Sequence, residues 1–144
     1  DLEHAVSHII EEMEERSGAR EEEQESIVLR FHLDKKTKNK YVEQAIAFIG
    51  EHYRENITIS TVAEYLEISE GYLSRVFKKE TNYTFTSYLT YYRMQVAMKL
   101  LKDCRIKIYE AAEQAGYSDT AYFSAQFKKI VGISPSEYQD RSRQ

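Results

Sequence analysis

The chain has 144 residues, 42% hydrophobic and 31% charged, with one Pro, five Gly and one Cys. That is enough for a domain with a real core, and the scarcity of Pro and Gly favours helix, which both residues interrupt. No stretch reaches the roughly 18 apolar residues of a membrane span, no charged-then-apolar leader opens the sequence, and the lone Cys104 excludes an internal disulfide, so a reducing cytoplasm is expected.

The formal charge of −4 is unevenly spread: residues 1–38 carry a net −5 and residues 39–144 a net +1. Net charge therefore neither requires nor excludes a nucleic-acid partner; local charge decides contact with phosphate. The chain opens at Asp1 rather than Met, as a fragment of a longer protein does. Leu2, Val6, Ile9, Ile10 and Met13 recur at helical spacing, so residues 1–13 are predicted to form an amphipathic helix. Residues 14–40, charged around Ser17-Gly18 and basic from Lys35 to Lys40, read as a linker, part of it helical.

From Tyr41 the pattern tightens, and residues 41–144 read as one folded domain. Val42, Ala45, Ile46, Ile49 and Tyr53 trace a first helix face, and Ile59, Val62, Ala63 and Leu66 a second, short one. Ser69 suits an N-cap with Glu70 in the positive first turn, followed by Leu73, Val76 and Phe77 facing inward. Asn82 stands where a left-handed C-cap residue is wanted. Phe85, Leu89, Tyr92, Val96 and Leu100 predict a long fourth helix, about 27 Å for roughly 18 residues. Ile108 to Ala115 is a short fifth, ended by Gly116. Ser118-Asp119 opens a sixth, with Phe123, Phe127 and Ile130 inward and Gly132 as its C-cap. Ser134-Pro135-Ser136-Glu137 is a capping box with Pro at the first helical position, starting a seventh that ends near Asp140. The fold class is all-α.

The informative feature is an internal repeat. At an offset of 49, Ile57, Ile59, Ala63, Glu64 and Ser69 meet Ile106, Ile108, Ala112, Glu113 and Ser118. At an offset of 50, Tyr72, Ser74, Phe77, Lys78, Lys79 and Tyr88 meet Tyr122, Ser124, Phe127, Lys128, Lys129 and Tyr138. Each copy, about 57–82 and 106–132, is short helix, tight turn, longer helix: the helix-turn-helix layout. Ala63 and Ala112 are small where the two helices of a copy cross. The second helix of each copy has an exposed face suited to a major groove: Glu70, Gly71, Ser74, Arg75 and Lys78 in the first; Thr120, Ala121, Ser124, Ala125 and Lys128 in the second. Arg75 alone can read a guanine edge bidentately. Lys78, Lys79, Lys128 and Lys129 at the far ends suit phosphates.

These residues resemble the AraC/XylS family of bacterial transcription regulators. The resemblance runs from Tyr41 to about Arg141 and rests on the first copy through "EGYLSRVFKKETN", on "YYRMQVAMKLL" in the connecting helix, and on "AAEQAGYSDTAYFSAQFKKIVGISPSEY". It implies a seven-helix domain, two helix-turn-helix units joined by the long fourth helix, and sequence-specific binding to double-stranded promoter DNA, with RNA polymerase a further partner. The family's recognition positions fall on Gly71, Tyr72, Ser74 and Arg75, and on Thr120, Ala121, Ser124 and Ala125. Arg93 matches the connecting-helix pattern, as a structural or phosphate-contacting residue. Three positions depart from the family: Asn82 replaces a preferred Gly, and Ala125 and Gln139 stand where Arg is frequent. The loss of an Arg at 125 implies that the first unit discriminates bases more than the second. The opening segment resembles the closing helix of a receiver domain, which would make the chain the output part of a YesN-like two-component response regulator. That helix can also pair two copies into a homodimer.

Other functions fare worse. There is no glycine-rich phosphate loop, nucleophile elbow or zinc spacing, so neither catalysis nor a cofactor is expected. His4, His8, His32 and His52 are scattered, and His4 and His8 lack a third ligand for a metal. The alternative is a helical protein-interaction module, which would carry exposed Leu, Met or aromatic anchors on its recognition face.

Overall fold

The computed structural model describes Leu33 and residues 37–143. The helix predicted over residues 1–13 and most of the predicted linker lie outside the described residues. Seven helices and no strand occur among those described: α1 (Lys40–His52), α2 (Ile59–Leu66), α3 (Glu70–Thr81), α4 (Phe85–Leu101), α5 (Ile108–Ala115), α6 (Thr120–Val131) and α7 (Pro135–Ser142). None is long and apolar enough to cross a membrane. Two compact units divide between Arg93 and Met94, inside α4.

Helix ends are set by local chemistry. Asn39, within the stretch read as linker, caps α1 by accepting from the amides of Tyr41 and Val42. Thr58 caps α2 and shares a reciprocal capping box with Thr61. Ser69 accepts from the Tyr72 amide, Asp119 from the Tyr122 amide and Ser134 from the Glu137 amide. Each such cap satisfies an otherwise orphan donor and contributes about 1 kcal/mol. Asn82, Gly116 and Gly132 end their helices at positive φ, as their residue types predict.

In the first unit α2 packs on α3, and α1 packs on both. Val42, Ala45, Ile49, Val62, Leu73 and Phe77 are buried there. The Phe77 ring meets Phe85 and Tyr88 edge-on, at 5.7 and 5.3 Å between centroids. Tyr88 donates its hydroxyl hydrogen to the Leu33 carbonyl, 2.6 Å away. In the second unit α5 packs on α6, and α6 on α7. Met94, Ala97, Met98 and Leu101 of α4 join Ala111, Ala112, Ala115, Phe123, Phe127, Val131 and Tyr138 in one core. The repeat is spatial as well: Phe127 meets Tyr138 edge-on at 5.6 Å, the counterpart of Phe77 on Tyr88.

Two expectations need correcting. On α4 Phe85 and Leu89 are buried as expected, together with Tyr88, Tyr91, Met94, Ala97, Met98 and Leu101, whereas Tyr92, Val96 and Leu100 are only partly buried. The helix is apolar almost all round, so periodicity does not single out one face. The shift of the repeat from 49 to 50 also has a definite place. The Ile68 amide bonds the Ala63 carbonyl and the Tyr117 amide the Ala112 carbonyl, both at offset 49. The next caps are Ser69 and Asp119, at offset 50. Ser118 is therefore the extra residue, lodged in the second turn, and Asp119 rather than Ser118 is the cap.

Glu67 was not singled out by its sequence, yet it ends α2 in the left-handed region at φ 58°. Its place in the second copy is taken by Gly116 at φ 103°. A Cβ in that region costs roughly 1–2 kcal/mol, offset by the larger entropy a glycine loses on folding. Glu67→Gly is expected to stabilise the chain by about 0.5–1 kcal/mol, read as a higher denaturant midpoint at unchanged slope.

Burial of Tyr91 raises its phenol pKa above the usual 10.0, and the neighbouring Tyr83, its ring 5.5 Å away, adds to the rise. Burial raises Tyr83 as well. The unfolded chain ionises these groups near pH 10 while the folded chain resists. Their contribution is therefore complete below about pH 10 and is lost progressively above it. Denaturation midpoints taken from pH 8 to pH 11 are expected to fall at the alkaline end, and less steeply in Tyr91→Phe.

Candidate nucleic-acid interface

The second helix of each repeat copy stands on a buried stripe and shows the opposite face to solvent. On α3, Leu73, Phe77 and Thr81 are buried, and Gly71, Ser74, Arg75, Lys78 and Lys79 are exposed. On α6, Phe123, Phe127 and Val131 are buried, and Ala121, Ala125, Lys128 and Lys129 are exposed, with Thr120 and Ser124 partly so. On α3 the exposed positions are those expected from the repeat; on α6 Ala121, Ala125 and Lys128 are as expected, while Thr120 and Ser124 are only partly exposed and Tyr122 is exposed.

Arg75 has no hydrogen-bond or ion-pair partner among the described residues. Its Nη1 lies 3.8 Å from where a Cβ on Gly71 would stand, so the guanidinium runs back along a bare stretch of helix. Its five donors stay available to a planar acceptor pair. Tyr72 is different: it is half-buried and meets Tyr41 edge-on at 6.0 Å. Lys78 reaches the Asn82 carbonyl at 3.4 Å, so part of its work is to complete the end of α3. Lys at the last turn also complements the helix dipole, at α3 and at α6 alike.

Arg93 is partly buried, and two of its donors are directed into the protein. Nε donates to the Tyr53 carbonyl at 2.8 Å and Nη2 to the Glu55 carbonyl at 2.9 Å. These carbonyls belong to the loop that leads into α2. The second copy has a matching clamp that the sequence did not reveal. Gln139 of α7 donates from Nε2 to the Asp103 and Ile106 carbonyls, at 3.1 and 2.7 Å, in the loop that leads into α5. A flat donor thus ties down the entry loop of each helix-turn-helix copy. Gln139, read as a departure from the family's Arg, supplies two hydrogens and fits that task. Only contacts across more than thirty residues reveal it.

Tyr122 was also passed over. It occupies the repeat position of Tyr72, yet its side chain is 55% exposed. Gln126 donates to its hydroxyl at 3.0 Å. A groove between α1 and α2 is lined by Gln44, Ala47, Phe48, Glu51, Tyr65 and Leu66. Its only charged lining residue is an acid, so it does not suit phosphate.

Residues 62–141 match a family described as "Helix-turn-helix domain". The C-terminal domain of AraT, a response regulator from Geobacillus stearothermophilus, is 38% identical, with a TM-score of 0.70 over 73% of this chain and 88% of that one. The C-terminal domain of the two-component response regulator yesN from Fusobacterium nucleatum is 39% identical, with a TM-score of 0.66 over 70% of this chain and 99% of that one. The transcriptional regulatory protein HptR of Staphylococcus aureus is 37% identical over 98 residues, which cover 68% of this chain and 38% of the relative. The chain spans about two fifths of the length of such curated relatives.

Proposed function

The chain belongs to the AraC-type helix-turn-helix family of DNA-binding domains, and from that premise we propose that it recognises a specific promoter sequence with α3 and α6, each entering a major groove. The observation that carries this is the exposed face of α3: small at Gly71, polar at Ser74, cationic at Arg75, Lys78 and Lys79, with Glu70 its only acid. A groove-reading helix needs close approach, donors for base edges and cations for phosphate, in that order along its length. Arg75 is assigned to a guanine. Gly71, Tyr72, Ser74, Thr120, Ala121, Ser124 and Ala125 are assigned to the base-facing surface. Lys78, Lys79, Lys128 and Lys129 are assigned to phosphates.

Arg93 is assigned to positioning rather than to phosphate, because its Nε and Nη2 hold the loop before α2. The α3 face carries none of the exposed aliphatic or aromatic anchors that a protein-interaction module needs, which disfavours the alternative for the first unit, while α6 does expose one aromatic, Tyr122. In the longer protein that these relatives imply, the domain is read as the output arm of a response regulator in the bacterial cytoplasm. RNA polymerase and a second copy paired through the N-terminal helix are the further partners of that reading.

The test is a salt series of binding to duplex DNA. Phosphate neutralisation by these four lysines requires log K to fall with log salt, at a slope of about −0.9 per contacted phosphate. Lys79→Ala is expected to reduce that slope by about one and to weaken all sequences alike. Salt-independent binding would contradict the proposal.

A further inference from the structure

The two recognition helices differ in chemistry. Where α3 presents Arg75, α6 presents Ala125, and where Tyr72 leans half-buried on Tyr41, Tyr122 stands out from the surface. The Tyr122 ring is held rather than loose. Gln126 donates to its hydroxyl at 3.0 Å, and Tyr117, itself packed on the core, lies against it with centroids 6.1 Å apart. Ala121 precedes Tyr122 and Ala125 lies one turn on, both exposed. Together they form a fixed apolar surface, continuous with the Lys128-Lys129 end of the same helix.

An apolar surface that enters a major groove needs an apolar partner there. The duplex offers one: the C5 methyl of thymine. We propose that α6 reads thymine by its methyl group, with Tyr122, Ala121 and Ala125 as the specificity-determining residues of the second half-site. The proposal rests on α6 being a DNA-reading helix. It makes the bound site asymmetric, with a guanine read by a cation in one half and thymine methyls read by contact in the other. Uncharged methyl contacts discriminate less than a bidentate arginine, so the first unit remains the stronger reader.

The test uses the whole chain and the DNA site it selects from a random library. The second half-site is the part whose affinity does not respond to Arg75→Ala. Each thymine in it is replaced in turn by deoxyuridine, which lacks only the methyl. Roughly three- to fivefold weaker binding is expected at each contacted thymine, the worth of one buried methylene-sized group. The penalty is expected to shrink in Tyr122→Ala and, independently, in Ala125→Ser, an exposed and milder change. Uracil that binds like thymine throughout that half overturns the methyl reading while leaving DNA recognition intact. A methyl penalty undiminished in both variants assigns the contact to other residues and also overturns it. If no site is selected at all, DNA recognition itself fails, and the methyl reading falls with it.

Discussion

Arg75→Ala is expected to cost about 1–3 kcal/mol of DNA affinity, concentrated on one guanine of one half-site, with the remaining positions of the site little changed. The reason is geometric. Arg75 lies on the exposed face of α3, without a partner among the described residues, beside a glycine that lets the helix approach its target closely. A guanidinium meets O6 and N7 of guanine with two parallel hydrogen bonds. Lysine offers a point charge instead, so Arg75→Lys is expected to keep much of the affinity on non-specific DNA and lose the preference for guanine. Affinities for the selected site and for variants at each position, measured at one fixed salt concentration, separate these effects. A loss spread evenly over all sequences would make Arg75 a phosphate contact and remove the guanine assignment.

Phe127→Ala is expected to have the largest effect on stability, about 3–5 kcal/mol, a substantial share of the 5–15 kcal/mol typical of a folded domain. Phe127 is fully buried, with rings of Phe123 and Tyr138 at 5.8 and 5.6 Å. It is where α6 is pinned to the core of its unit. Removing the ring leaves a cavity between α6 and α7 and frees the helix that presents Ala121, Tyr122 and Ala125. Urea unfolding should show the loss as a lower midpoint, and binding to the second half-site should weaken in parallel. Ala125→Ser, on the exposed face of the same helix, should stay within about 0.5 kcal/mol of the original stability.

What was legible in the sequence follows from how far apart the causes lie. Ser69, Asn82, Gly116, Gly132 and Ser134-Pro135 act on backbone groups within a few residues, so their types announce helix ends directly, and all stand where expected. The copies of the helix-turn-helix were legible because Phe77 and Phe127, with Tyr88 and Tyr138, build the same small core twice. The buried face of α4 was legible only at Phe85 and Leu89, because a helix with tyrosine, methionine and leucine on nearly every side carries no single stripe. Glu67 was missed because a turn's geometry, not the residue's preference, forces its left-handed backbone. The clamps made by Arg93 and Gln139 were missed because a side chain that bonds carbonyls more than thirty residues away leaves no local pattern. Tyr122 was missed for a related reason. Its repeat partner Tyr72 leans on Tyr41, and only the differing neighbours of the two rings reveal that one is half-buried and the other exposed.

Selection of duplex DNA from a random library by the 144-residue chain tests the central claim most directly. The expected result is a bipartite site with two conserved parts, one containing the guanine that Arg75→Ala no longer prefers. A motif with a single conserved part, or a library that emerges unenriched, would contradict recognition by two helices of one chain.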